Sequence, residues 1–117
     1  MTYFFVQGDP VPKQSYRAVK GGGYIAPRVK AWQHAVGWYA RDIIKGEPSN
    51  LTMQVDLIFY LAHHKRVDCD NLSKCVLDAL NGIAWLDDAQ VVDLHVQKVF
   101  CQKGAQGVRI EYTYYPT

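Results

Sequence analysis

The sequence has few cysteines and no long apolar run, and both shortages narrow the class of protein. Its 117 residues include three cysteines, Cys69, Cys75 and Cys101, which cannot all pair within one chain and form no C-x-x-C motif. Neither a zinc knuckle nor a thiol redox site is therefore indicated. No apolar stretch approaches the roughly 20 residues of a membrane helix, and the N-terminus MTYFFVQGDP lacks the features of a secretory signal. We expect a cytoplasmic protein that does not enter a membrane.

The sequence also has little net charge, only +2 at pH 7, but the charges are unevenly distributed. Residues 1–30 carry five lysines and arginines against the single Asp9. Five of the eleven acidic residues fall between positions 68 and 88. A basic surface around an acidic pocket would suit a polyanion such as DNA. Ordinary solvated charge is an equally good reading of the composition alone.

Hydrophobic periodicity predicts an α/β (α+β) fold in a single domain spanning residues 1–117. Strands are predicted at 2–7, 51–61, 90–100 and from 108 onward, because apolar and polar residues alternate or run together there. Helices are predicted from Pro27 to near Gly46 and over 71–81. Residues 9–26, with two prolines and three consecutive glycines, are expected to form a flexible basic loop. The order β-loop-α-β-α-β-β predicts a mixed four-stranded sheet with a C-terminal hairpin.

The segment most informative about chemistry is RVDCDNLSK, residues 66–74, which is followed later by Asp87 and Asp88. Asp70 is predicted to stand just ahead of the second helix, where it could cap free N–H groups. Asp68 lies two residues earlier in extended chain, so both carboxylates should point to the same side. Lys74 follows Asp70 by four residues and should share its helix face.

Several carboxylates that converge on one helix end would repel each other unless a cation neutralised them. Mg²⁺ takes oxygen ligands from one or a few carboxylates and leaves positions for water and phosphate oxygens. A lysine nearby could stabilise the phosphorane formed in phosphodiester hydrolysis. The residues alone leave two readings open, a metal site or a capping aspartate beside solvated ones. Asp87 and Asp88 could likewise be an ordinary turn pair.

The segment 67–88, VDCDNLSKCVLDALNGIAWLDD, resembles the signature of the RusA family of Holliday-junction resolvases, with D-x-D-N-x-x-K, D-x-L-N-G and D-D in order. Residues 91–98 continue the resemblance as an apolar strand carrying a lysine. The opening GDPVPKQ, residues 8–14, is similar to the G-x-P-x-P-K start of many phage-type members. The similarity implies a metal-dependent endodeoxyribonuclease that resolves four-way junctions by paired nicks. It also implies a homodimer in the cytoplasm of a bacterium or a phage-infected cell.

Carried over by position, the resemblance implies that Asp68, Asp70 and Asp88 are catalytic carboxylates that bind Mg²⁺, with Mn²⁺ as a substitute. Lys74 corresponds to the catalytic lysine. Asp87 corresponds to the first member of the D-D pair and is a possible further ligand. For contacts to branched DNA we expect four cations near each site: Lys13, Arg17, Lys65 and Arg66.

Other interpretations remain open at this point. Adjacent histidines in extended chain point to opposite faces, so His63 and His64 are read as a phosphate contact or a solvated turn rather than as metal ligands. Trp85 is read as core rather than as a base-stacking wedge. An aspartyl-nucleophile phosphatase would also use D-x-D, but it needs a larger doubly wound sheet. A DNA-binding protein without catalytic activity, in which the acidic cluster is a structural cap, is the third class.

Overall fold

The computed structural model describes residues 1–13, 17–19, 22–24 and 26–115. For 17–19 and 22–24 it describes the backbone only. Six strands and two helices follow one another along the chain: β1 (Thr2–Gln7), β2 (Arg17–Val19), β3 (Gly22–Tyr24), α1 (Pro27–Ile43), β4 (Met53–Leu61), α2 (Cys69–Ala79), β5 (Val91–Phe100) and β6 (Gly107–Tyr114). A short 3₁₀ turn, Asp88–Gln90, precedes β5. Neither α1 nor α2 is long and apolar enough to cross a membrane, and the described residues contain no other α-helix.

The main sheet has four strands in the order β1-β6-β4-β5. β4 pairs parallel with β5 and antiparallel with β6, and β1 pairs antiparallel with β6. The predicted α+β class, the mixed four-stranded sheet and the two helices are confirmed. The predicted C-terminal hairpin is wrong, because β4 lies between β5 and β6. A parallel pair needs a long crossover, and α2 supplies it between β4 and β5.

The core lies between the two helices and one face of the sheet. Every second residue of β4, from Met53 to Leu61, is buried, and the residues between them are only half-buried. One face of this strand therefore lies in the core, while the other is only partly covered. Trp85 is fully buried, with its ring edge-on to Tyr112 at a centroid distance of 5.5 Å. Its interpretation as a core residue is confirmed.

Two predicted segments differ from the structure. The region 9–26, predicted as a loop, contains a two-stranded ribbon in which β2 and β3 pair antiparallel, outside the main sheet. Three glycines in a row carried no strand signal, since glycine is disfavoured in strands. α2 begins at Cys69, two residues earlier than predicted, because Asp68 with extended backbone is already the residue that precedes the helix. Asp70 therefore lies inside the first turn.

Candidate active site

The N-terminal end of α2 carries the first two predicted site residues. Asp68 precedes the helix without capping it through its side chain, and its Oδ2 accepts a hydrogen bond from Asn71 Nδ2 at 3.4 Å. Asp70 is exposed in the first turn. Asp68 has the predicted extended backbone, but the prediction that Asp70 stands just ahead of the helix is wrong, because Asp70 has helical backbone. Both carboxylates nevertheless lie where the partial positive charge of a helix N-terminus favours anions.

One turn further along α2, Lys74 joins the helix to the D-D pair. Its Nζ lies 2.8 Å from Asp78 Oδ1 and 3.1 Å from Asp88 Oδ2. The second contact spans fourteen residues of sequence and brings residues from the two halves of the motif together. Lys74 is the most exposed member of this group, with 52% of its side chain accessible.

Asp87 and Asp88 have different tasks, although they are neighbours. Asp87 begins the 3₁₀ turn as a capping residue: its Oδ1 accepts from the Ala89 N–H at 3.2 Å, and Gln90 Oε1 accepts from the Asp87 N–H at 2.9 Å. Gln90 also donates to the backbone oxygens of Ser49 and Leu51 at 2.8 Å each. This capping box orients the turn so that Asp88 faces Lys74. Capping engages Oδ1 of Asp87, so a role as a further ligand would fall to its other carboxylate oxygen.

The N-terminal segment is fastened to the same face of α2 through Lys13. The Lys13 backbone N–H donates to Asn71 O at 2.9 Å, and its ammonium group forms an ion pair with Asp78. Lys13 was predicted as a phosphate contact, but the structure places it against a carboxylate. Asp78 was not among the predicted site residues, although its step of four from Lys74 was visible in the sequence. We call Lys13, Lys74, Asp78 and Asp88 the charge cluster.

The charge cluster perturbs the pKa values of its members. Burial alone would raise the pKa of Asp78, but hydrogen bonds from Lys13 and Lys74 outweigh it, and the pKa lies below its usual value. The pKa of Asp88 is raised, mainly by burial, because Lys74 compensates only in part. Hydrogen bonds to Asp78 and Asp88 raise the pKa of Lys74. The Lys74 ammonium group therefore stays charged at neutral pH.

A lysine of β5 fixes the segment that leads into α2. Lys98 Nζ donates to the Val67 backbone oxygen at 2.7 Å, one residue before Asp68. The start of α2 is thus linked to the C-terminal part of β5, whereas Asp88 precedes the first residue of that strand. Of the other predicted DNA contacts, Lys65 and Arg66 are exposed between β4 and α2. The side chain of Arg17 lies outside the described part.

The predicted metal ligands share a chemistry but are not assembled into a complete ligand set. Within the described part of the chain, no group of three or more histidine, cysteine or acidic side chains is placed to hold a metal ion. Asp88 contacts α2 through Lys74, whereas Asp68 and Asp70 lie at the N-terminal end of that helix. The donors are all carboxylate oxygens, which suit Mg²⁺, and this ion needs only one or two of them besides water and phosphate. The donor chemistry therefore fits Mg²⁺.

Comparison with known proteins points to one family. The family model described as "Endodeoxyribonuclease RusA" matches residues 7–111. A crossover junction endodeoxyribonuclease RusA of Enterobacteria phage 82 is 36% identical over 109 residues, covering 89% of this chain and 85% of the relative. Proteins of the same name from Aquifex aeolicus (strain VF5) and Escherichia coli (strain K12) are each 30% identical over 105 residues. These alignments cover 87% and 89% of this chain and 82% and 85% of the relatives.

Proposed function

The chain belongs to the RusA family of endodeoxyribonucleases, and from this premise we propose that it resolves four-way DNA junctions by metal-dependent, paired symmetric nicks. The observation that carries the proposal is the contact of Lys74 with Asp88 at 3.1 Å, since it unites both halves of the family motif in one site. The phosphatase alternative lacks support, because the four-stranded mixed sheet is not doubly wound.

In this proposal Asp68, Asp70 and Asp88 hold Mg²⁺, or Mn²⁺ in its place, beside α2. The chemistry supplied by the bound ion is activation of water and polarisation of the phosphoryl group. Burial is the main cause of the raised pKa of Asp88, so a bound cation would stabilise the charged form of this carboxylate. Asp87 keeps the 3₁₀ turn in place and thereby orients Asp88.

Lys74 is the residue we propose to act directly on the reacting phosphate. Asp78 and Asp88 hold its ammonium group from two sides, yet about half of the side chain remains accessible. A fixed positive charge beside the scissile bond stabilises the negative charge that develops on the phosphorane. Asp78 is a positioning residue for Lys74. It keeps its ion pair with the Lys74 ammonium group when Asp88 binds the metal ion instead.

The proposal includes a homodimer and a basic path for branched DNA. A four-way junction has approximate two-fold symmetry, and a two-fold dimer presents two equivalent sites for paired nicks. Lys65 and Arg66, exposed just before Asp68, are placed to contact phosphates beside each site. With such a substrate we expect the protein to act in recombination or repair, in the cytoplasm of a bacterium or a phage-infected cell.

Cleavage of a labelled four-way junction in Mg²⁺, beside a linear duplex of the same sequence, tests the proposal. We compare the wild type with Asp70→Asn and with Asp42→Asn, which changes an exposed aspartate on α1. We expect symmetric nicks in the junction alone, abolished in Asp70→Asn and by EDTA, and unchanged in Asp42→Asn. Tight junction binding without any cutting by the wild type would instead support the DNA-binding protein without catalytic activity.

A further inference from the structure

One pair of exposed aromatic rings lies outside the hydrophobic core, at the end of β5 and in the turn after β4. The His64 ring packs on the Phe100 ring with centroids 4.5 Å apart and an angle of 35° between the planes. Phe100 is 54% exposed, unlike Trp85, which is fully buried. We call His64 and Phe100 the aromatic platform. Its rings are brought together from the turn after β4 and the last residue of β5.

The platform lies towards the segment that leads into α2. Phe100 pairs in register with Leu61, the last residue of β4. Side chains two apart on a strand share a face, so Phe100 lies on the same side of the sheet as Lys98. Lys98 in turn contacts the Val67 oxygen at the entrance to α2. The platform therefore flanks the helix end that carries Asp68 and Asp70.

Positive charge surrounds the platform. Lys65 and Arg66 directly follow His64, and Lys103 follows Phe100 by three residues; all three are exposed. None of the three forms an ion pair with a carboxylate in the part of the chain that the structure describes. Exposed rings bordered by unpaired cations are the combination with which proteins bind unpaired nucleotides, the rings stacking on a base and the cations contacting phosphates.

We infer that the aromatic platform stacks on an unpaired nucleobase at the branch point of the DNA, while Lys65 and Arg66 contact the adjacent phosphates. This inference rests on the proposed function, because it assumes a branched substrate. Bases at a branch point can leave the stack at low cost, whereas those of an intact duplex must first be unpaired. The platform thus supplies a physical basis for selecting junctions over linear DNA.

Binding of a four-way junction in EDTA, where no cutting occurs, tests the inference. One branch-point adenine is replaced by 2-aminopurine, whose emission reports stacking. The variants are Phe100→Leu, which keeps an apolar group but loses the ring, Phe100→Tyr, which keeps the ring, and His64→Ala. Trp38→Ala is the matched control, since Trp38 is 71% exposed on α1 and also contacts another ring.

We expect Phe100→Leu to weaken junction binding about 5- to 150-fold, the range for loss of one stacked base. Binding of linear duplex should be unchanged, and the 2-aminopurine signal on binding should be lost. Phe100→Tyr should retain both affinity and signal, His64→Ala should weaken binding less than Phe100→Leu, and Trp38→Ala should match the wild type. Circular dichroism establishes that each variant is folded, and His64→Ala provides an independent test if Phe100→Leu is not.

The other possible results distinguish failure of the aromatic platform from failure of the nuclease proposal. Wild-type affinity and signal in Phe100→Leu would overturn the platform while leaving the nuclease proposal intact, provided the wild type cuts junctions. Loss of affinity in Phe100→Leu, when the wild type binds but never cuts, would support the platform and refute the nuclease. A change in the sedimentation mass of Phe100→Leu would show that the rings contact a second copy of the chain, and this result would also overturn the inference.

Discussion

The ion pair between Lys13 and Asp78 should contribute more to stability than the Lys74–Asp78 pair on the same carboxylate. Lys74 and Asp78 are four residues apart on one helix, and Lys74 is 52% exposed. Pairs of this kind contribute about 0.3–0.5 kcal/mol. Lys13 joins segments 65 residues apart, and its backbone is already fixed by the hydrogen bond to Asn71.

The larger contribution follows from this geometry. A hydrogen bond to a charged group contributes about 1.5–3 kcal/mol, and exposure of Lys13 calls for a reduction because solvent screens the pair. We therefore expect a coupling free energy of about 1–2 kcal/mol for Lys13 and Asp78. Two double-mutant cycles in urea at pH 7 measure it, one with Lys13→Met and Asp78→Asn, the other with Lys74→Met and Asp78→Asn.

The pH dependence of the coupling between Lys13 and Asp78 tests the same ion pair in a second way. Because the pKa of Asp78 is lowered in the fold, its stabilising effect is fully present above the unfolded aspartate pKa of about 3.9. The effect is lost as the pH falls through the lower folded value. The coupling should therefore be constant from pH 5 to 7 and decrease below pH 4. Equal coupling energies in the two cycles, or a Lys13 coupling that survives full protonation, would refute the reasoning.

Three further predictions concern DNA binding, packing and thiol chemistry. Replacing Lys65 and Arg66 with alanine should reduce the slope of log affinity against log salt by about 2, since each phosphate contact contributes about 0.9; an unchanged slope would exclude both contacts. Gly107→Ala should cost about 3 kcal/mol or more in urea unfolding, because its Cβ would lie 2.3 Å from a backbone oxygen of β1. Gly104→Ala, which meets no atom within 4 Å, should cost only the about 1–2 kcal/mol of its positive φ. Burial raises the pKa of the Cys75 thiol to about 11, so a thiol reagent at pH 8 should modify only the other two cysteines of the folded protein; three rapidly reacting thiols would contradict this burial.

Most of the fold could be predicted from the sequence because its signals are local. Pro27 and the spacing of apolar residues place α1, and alternation places β1, β4 and β6 close to their observed bounds. The predicted hairpin between the last two strands failed because strand pairing is not local. Gly104 and Gly107 do mark a turn between them, but β4 occupies the position between the two strands. Successive strands are often neighbours in a sheet, but β5 and β6 are not.

The candidate site, too, could be predicted from local sequence signals only in part. The order of motif residues indicated that Lys74 and Asp88 belong to one site, and the structure brings them together. The partner of Lys13 could not be predicted, because it depends on how the N-terminal segment crosses α2. The stacking of His64 on Phe100 depends on the parallel register of β4 and β5, which no local pattern specifies.

The pairing of β1 with β6 has a consequence for the timing of folding during synthesis. β1 leaves the ribosome before the other described strands, but its sheet partner comprises residues 107–112. The strands and helices between them can begin to form earlier, whereas β1 must wait until nearly the whole described chain has been made. During that interval its buried side chains, Phe4 and Val6, have no sheet to cover them. A nascent chain stalled before residue 107 should therefore be a preferred client of chaperones that bind exposed apolar strands.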